Sequence, residues 1–221
     1  MLVPVAIISV LILLVAGAIY TSAVLERKRK EKIAEVAESL GLTFVPGDDL
    51  SFRERFSDMA FFQTGHSKLS GNCMTGDSGD VRISIFDYTF STGSGKNKST
   101  RRLTVVALES ANLKIPSFSM RPEIFLDKIG SMLGFQDIDF DDDPEFSNAF
   151  VLKGENEAAI RKTFHRQLRK GLATRTGINV EATRGKLVCF RGYSRSKPEA
   201  YPDLLKEAYE IYGLFVDPQP E

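Results

Sequence analysis

The first 25 residues constrain this chain more than any other feature. Between Leu2 and Leu25 no side chain carries a charge, and fourteen of the residues are Leu, Ile or Val. A helix of this length measures roughly 36 Å at about 1.5 Å per residue, and a hydrocarbon core is about 30 Å thick. The pattern predicts a transmembrane anchor helix over residues 2–25, which contacts a lipid bilayer.

Two other interpretations of this segment are weaker. Ala16-Gly17-Ala18 fits the cleavage pattern of a signal peptide, but no Lys or Arg precedes the apolar run, and the run continues past Ala18. A buried core helix is the second alternative, and 24 uncharged residues are too many for it.

The charges that follow the apolar run predict its orientation. Residues 26–32 contain five basic and two acidic side chains, whereas the N-terminal flank offers only the α-amino group. The positive-inside rule places residues 26–221 in the cytoplasm of a single-pass protein of the cell membrane. The basic side chains of this flank would contact anionic lipid: Arg27, Lys28, Arg29 and Lys30.

Composition excludes several classes of protein. Lys plus Arg equals 29 and Asp plus Glu equals 29, so the net charge is zero and no general attraction to nucleic acid is expected. Two cysteines are too few for a disulfide scaffold and are compatible with a reducing compartment. They share no ligand spacing with the two histidines, so a zinc site is not expected. The only cofactor left open is a Mg²⁺ or Ca²⁺ ion.

Periodicity predicts an α+β fold. The order is a helix, a β-meander, a helix, a strand, a helix, a β-hairpin and a helix, without repeated βαβ units. The predicted organisation is an N-terminal transmembrane helix, then a soluble domain with a mainly antiparallel sheet and several packed helices. Its parts are the anchor at 2–25, a basic juxtamembrane helix at 26–40, the α+β domain at 41–216, with a subdomain division near 134–145, and a flexible tail at 217–221.

The individual elements follow from local patterns. Strands are predicted where apolar residues alternate or turn residues bound a short apolar run, and helices where they recur every three or four residues. The predicted strands are 60–65, 81–88, 103–109, 146–153, 178–183 and 186–191, and the predicted helices are 50–59, 122–133, 155–173 and 198–212. Residues 43–49 are predicted as a turn.

A basic loop at 92–100 resembles a phosphate-binding loop only superficially. Position 90 is Phe instead of Gly, position 97 is Asn instead of Ser or Thr, and a strand follows instead of a helix. Nucleotide binding is therefore not expected. The loop is either a flexible solvated turn or a contact for lipid or an acidic partner through Lys96, Lys98, Arg101 and Arg102.

An acidic segment at 137–145 contains six carboxylates in nine residues. It fails as an EF-hand because the sixth position is Asp142 and the twelfth is Asn148. Three interpretations remain open: a solvated or salt-bridged loop, a weak Mg²⁺ or Ca²⁺ site formed by Asp137, Asp139 and Asp141, and a catalytic pair of carboxylates. The basic face of helix 155–173, which includes Arg161 and Arg169, is either solvated, paired with this segment, or bound to anionic partners.

Several segments together resemble a family of uncharacterised bacterial proteins. They are Phe86-Asp87-Tyr88 with Thr92-Gly93-Ser94-Gly95-Lys96, Met120-Arg121-Pro122-Glu123, and Asp137-Ile138-Asp139-Phe140-Asp141 with Pro144-Glu145-Phe146-Ser147. The proteins that this chain resembles have one N-terminal membrane span and a domain of unknown function. The resemblance implies an envelope protein and assigns no functional residue.

These observations favour a binding role over catalysis. The leading hypothesis is a membrane-anchored interaction module that binds a lipid surface or a protein partner and performs no chemistry. The alternative is an enzyme that depends on a divalent cation and acts on a phosphorylated or acidic substrate through residues 137–143.

Overall fold

The structure is a computed structural model that describes residues 2–123 and 136–216. Its longest element is one continuous helix, α1, Leu2–Ser39. The charge-free apolar stretch and the charged segment after it therefore belong to the same rod. The predicted helix at 122–133 and the predicted tail at 217–221 lie outside the described residues, apart from the first two residues of that helix.

The predicted transmembrane helix is wrong, and the description of the chain as a single-pass membrane protein is wrong with it. Within the described part of the chain, no helix combines the length and apolar character needed to cross a membrane. The location predicted from that span stays a prediction.

The rest of the described chain has the α+β architecture with an antiparallel sheet. The strands are β1 (Thr43–Asp48), β2 (His66–Ser78), β3 (Val81–Thr92), β4 (Ser99–Glu109), β5 (Phe118–Pro122), β6 (Phe150–Lys153), β7 (Ile178–Thr183) and β8 (Lys186–Arg191). The helices after α1 are α2 (Leu50–Arg55), α3 (Ala60–Gln63), α4 (Pro144–Ala149), α5 (Glu157–Thr163), α6 (Arg166–Ala173) and α7 (Tyr201–Val216).

All eight strands form one sheet in the order β1-β2-β3-β4-β8-β7-β5-β6, and every neighbouring pair is antiparallel. The strands β3, β4, β7 and β8 confirm the strands predicted at 81–88, 103–109, 178–183 and 186–191. The hairpin turns at Arg184 and Gly185, whose φ angles of 45° and 78° are the positive values that a tight two-residue turn requires. One sheet therefore connects the chain on both sides of residues 134–145.

Each face of the sheet carries its own apolar core. On the first face, alternate strand residues such as Ile83 and Ile85 pack with Ile33 of α1 and with α7. On the second face, Phe86, Tyr88 and Phe90 pack with a cluster of aromatic residues from 52 to 62. Because strand side chains alternate between faces, this distribution explains why both faces of β3 are apolar in the sequence.

Four local predictions differ from the structure. Residues 43–48 form strand β1 instead of a turn, and residues 60–63 form helix α3 instead of a strand. The predicted strand 146–153 begins as helix α4. The predicted helix 155–173 breaks at Phe164 and His165, which allows Phe164 to point into the core while a new helix begins. In addition, β5 was not predicted, because Pro116 and Pro122 lie close to its two ends.

A buried ion pair fixes α1 to the sheet. Asp87 of β3 accepts hydrogen bonds from Arg29 Nε at 3.0 Å and Arg29 Nη2 at 2.8 Å. It also accepts from Thr104 Oγ1 at 3.0 Å and from Asn72 Nδ2 at 3.2 Å. Arg29 donates further to the hydroxyl of Tyr201 at 2.8 Å. We call these five residues the Asp87 network, and it joins α1, three strands and α7.

We expect Asp87→Asn to destabilise the protein by about 3–5 kcal/mol, because loss of one charge leaves Arg29 buried without its counterion. Urea denaturation would measure the free energy of unfolding. The control is Glu31→Gln, which removes the exposed Arg27–Glu31 pair (2.9 Å) and should cost about 0.5 kcal/mol or less. Equal losses in the two variants would show that the Asp87 network does not hold the helix in place.

Candidate functional site

The N-terminal part of α1 presents apolar side chains on all of its faces. We call residues 11–25 the apolar projection. Val24 is half-buried, and the other large apolar side chains are between 55% and 72% exposed, namely Leu11, Ile12, Leu13, Leu14, Val15, Ile19, Tyr20 and Leu25. Five consecutive exposed residues, 11–15, cover more than one complete turn of helix. The rest of the described chain therefore leaves every face of α1 uncovered from residue 11 to residue 23.

The predicted lipid-contact residues of the flank lie at the base of the apolar projection. Arg27 and Lys28 are exposed and Lys30 is half-buried. Arg29 differs from its neighbours, since its guanidinium binds Asp87 inside the fold. Three side chains of the flank thus remain directed to the surface, and one is a structural anchor.

The other predicted contacts lie in or next to the turn between β3 and β4. Lys96, Lys98 and Arg102 are exposed. Arg101 is half-buried, and its guanidinium carbon lies 4.9 Å from the centre of the Tyr193 ring. The turn therefore offers three cationic side chains to solvent.

The direction of α1 brings the flank and this turn to the same end of the sheet. Leu42, just after α1, approaches Gly76, which is paired with Ile83 near the start of β3. Arg29 meets Asp87, further along β3. Continued towards its N-terminus, α1 therefore leaves the sheet at the end that holds the β3–β4 turn. We call this end, with Arg27, Lys28, Lys30, Lys96, Lys98 and Arg102, the basic end.

The acidic segment is partly paired within the domain. Arg169, which is buried, donates to Asp142 at 2.6 Å and to Asp143 at 2.9 Å. Arg161 donates to the main-chain oxygen of Asp139 at 2.7 Å. The predicted pairing of the basic helix with this segment is thus present for two arginines.

The predicted metal ligands remain a prediction. Asp137 accepts from the amide of Leu152 at 2.8 Å, and burial raises the pKa of its carboxyl. Within residues 2–123 and 136–216, no three His, Cys, Asp or Glu side chains converge as metal ligands. Binding of Mg²⁺ or Ca²⁺ by Asp137, Asp139 and Asp141 is left for a titration to test.

Sequence reasoning missed a buried carboxyl on β7. Glu181 is 6% exposed and accepts hydrogen bonds from the amides of Ala60 and Phe61, at the start of α3. Burial raises the pKa of Glu181 from 4.5 to about 7, while the two amides and the charge of Arg121 oppose the rise and Asp58 adds to it. This carboxyl therefore changes its charge near neutral pH.

We expect the stability of the protein to fall as the pH rises from 5 to 8. Because the pKa of Glu181 is higher in the folded than in the unfolded state, the folded state binds more protons between pH 4.5 and pH 7. The loss should reach about 2–3 kcal/mol. Urea denaturation at several pH values should show a flatter profile for Glu181→Gln, whereas the exposed control Glu155→Gln should retain the slope. An unchanged slope in Glu181→Gln would contradict this assignment.

Comparisons with known proteins identify a shared fold but no family. No protein-family model matches the chain, and no match was found among curated proteins. Among solved structures, the crystal structure of the mycobacterial trehalose monomycolate transport factor A, TtfA, is similar, with a TM-score of 0.64 and 13% sequence identity. The match covers 88% of this chain and 99% of that chain. At this level of identity, the similarity shows that the two proteins have the same fold.

Proposed function

We propose that this chain is a non-enzymatic binding module that docks on an anionic lipid surface through the apolar projection and the basic end. The observation that carries the proposal is the exposure of apolar side chains around the whole circumference of α1 between residues 11 and 23. Exposed apolar surfaces of this extent mark interaction sites.

Burial of these side chains supplies a large driving force. Removal of one large apolar side chain from water contributes about 1.5–3 kcal/mol. Eight such side chains of the apolar projection are exposed, so their gross contribution is on the order of 10–20 kcal/mol before the costs of association. Contact with acyl chains along the rod would release this energy on every face of the helix. A protein partner with one flat surface would cover only a part of it.

The charges at the base of the apolar projection favour an anionic surface. Lys28 and Lys30 belong to α1 itself, and Lys96 and Lys98 extend the positive surface to the β3–β4 turn. Each Lys or Arg close to an anionic lipid surface contributes about 1 kcal/mol. An apolar rod with cations at its base matches the layered chemistry of a lipid surface, which places acyl chains beneath anionic headgroups.

The structural neighbour agrees with a lipid-related role. By its name, TtfA is a transport factor for trehalose monomycolate, and this chain has its fold. No specific observation favours the alternative of a cation-dependent enzyme. Asp142 and Asp143 of the acidic segment are bound to Arg169, and Asp137 is bound to a main-chain amide.

Sedimentation of the full-length chain with vesicles of phosphatidylglycerol and phosphatidylcholine would test the proposal. We expect Leu14→Glu with Ile19→Glu to abolish binding, because both changes place charges in the apolar projection. We expect Lys28→Gln, Lys96→Gln and Lys98→Gln together to weaken partitioning on the order of 100-fold, because three cations contribute about 1 kcal/mol each.

The matched control replaces three exposed lysines on other helices, with Lys162→Gln, Lys170→Gln and Lys206→Gln, and keeps the same net charge as the basic-end variant. We expect this control to bind vesicles like the wild type. If the control and the basic-end variant lose affinity equally, overall charge and not the basic end governs binding. If the variant with two glutamates still sediments with vesicles, the proposal is wrong.

A further inference from the structure

An open groove lies where α5, the last turn of α7 and the loop after β4 meet, and we call it the α5–α7 groove. Its volume is about 590 Å³. Its apolar walls come from the loop, from α5 and from α7, namely Ile115, Pro116, Ala159, Leu214 and Phe215. All five are half-buried, so each is held in the fold and still presents apolar surface to the groove. A concave site of several hundred cubic ångströms with mainly apolar walls is typical of small-molecule sites.

The α7 wall of the groove is held firmly in place. The ring of Phe215 packs against the rings of Phe118 and Phe164, with 5.5 and 5.9 Å between ring centres. Leu214 lies against Gly171 of α6, where an added Cβ would come within 2.9 Å of Leu214 Cδ1. The glycine therefore allows the last turn of α7 to approach α6 closely, and the groove is formed before any ligand arrives.

The polar groups of the groove include two cations and one N–H donor. Lys114 of the loop and Lys162 of α5 are exposed, and in the part of the chain that the structure describes neither forms an ion pair. His165 Nδ1 accepts a hydrogen bond from the amide of Leu168 at 3.4 Å. The proton of the neutral imidazole therefore lies on Nε2, which can donate to an acceptor.

Acidic side chains do not offset these cations within the groove. The described residues that line it include no Asp or Glu. Asn156, Ala159 and Thr163 line it from α5, and their spacing of three and four residues places them on one face of that helix. Glu157 belongs to another face, where it pairs with Arg161 at 2.7 Å. The groove therefore favours a ligand that carries negative charge.

The α5–α7 groove and the basic end lie at opposite ends of the sheet. Glu109, at the end of β4, is paired with Arg82, at the start of β3, so the loop 110–117 begins at the end remote from the β3–β4 turn. The amide of Ser110 donates to the oxygen of Gly185 in the β7–β8 turn at 2.9 Å, which holds the loop at that remote end. A ligand in the groove therefore does not contact the basic end.

We propose that the α5–α7 groove binds one anionic amphiphile, whose single apolar chain lies against Ile115, Leu214 and Phe215. Its compact headgroup, a carboxylate or a phosphate, is bound by Lys114 and Lys162. Removal of the chain from water supplies the driving force, and the two ammonium groups select an anionic headgroup over an uncharged one. This binding site is separate from the apolar projection and is independent of docking on a lipid surface.

Isothermal titration calorimetry of the full-length chain with decanoate and with decyl phosphate, both below their micelle concentrations, tests this inference. We expect one molecule per chain for at least one of the two probes. Lys114→Gln with Lys162→Gln should weaken that binding at least tenfold. The control Lys170→Gln with Lys206→Gln has the same net charge, replaces exposed lysines outside the groove, and should bind like the wild type. The uncharged 1-decanol should bind at least tenfold more weakly than the anionic probe.

A second variant tests the place of the apolar chain without touching a charge. Ala159→Trp should weaken probe binding at least tenfold, because the indole ring fills the space between α5 and α7. The matched control Ala158→Trp adds the same ring at an exposed position of the same helix and should leave binding unchanged.

The outcomes separate this site from the lipid surface. Ala159→Trp should still sediment with vesicles, and Leu14→Glu with Ile19→Glu should still bind the probe. The inference is overturned if neither probe binds the wild type, if either groove variant binds as tightly as the wild type, or if 1-decanol binds as tightly as the anionic probe. Loss of probe binding in the variant with two glutamates would also overturn it, because the amphiphile would then occupy the apolar projection.

Discussion

The Arg29–Asp87 ion pair is the interaction on which the rest of the structure depends. Asp87 lies in the middle of β3, and its carboxylate is shielded from water by side chains from α1, β2, β4 and α7. A buried charge is costly unless all of its partners are in place. The segments that supply the partners must therefore assemble together, and their assembly sets the direction in which α1 leaves the sheet. The positions of the apolar projection and the basic end both follow from that direction.

Local periodicity correctly predicted the strands whose alternating apolar residues all lie within the strand itself. The alternation of Val81, Ile83, Ile85 and Asp87 predicted a strand at 81–88, and in the structure these four residues lie buried on strand β3. Prediction was wrong where distant residues decide the conformation. Residues 60–63 read as a strand, but Glu181, about 120 residues away, binds the first amides of this segment and supports a helical turn. No local pattern contains that information.

For the candidate sites too, prediction succeeded where the pattern is local and failed where distant residues decide. An uncharged run of residues is visible in any sequence, so the exposed apolar surface of α1 was located, although the inferred span was wrong. The buried ion pair of Arg29 was not predicted, because nothing in the sequence distinguishes one arginine in a basic run from its basic neighbours. A carboxylate on the apolar face of β3 was a usable indication that a buried cation had to exist. The pairing of Glu181 with Ser119 depends on β5, and that strand was not predicted because of its two nearby prolines.

The continuity of α1 has a mechanical consequence. From residue 11 to residue 29 the chain forms one uninterrupted helix, about 27 Å long, whose far end is clamped in the sheet. Because the helix is rigid, the number of residues between its tip and its clamped end sets both the distance and the rotation of the sheet. It therefore sets the angle at which the sheet faces any surface that binds the tip. One residue inserted between positions 20 and 28 would turn the sheet by about 100° about the axis of the rod and move it by about 1.5 Å. The number of residues along α1 thus determines the orientation of the domain.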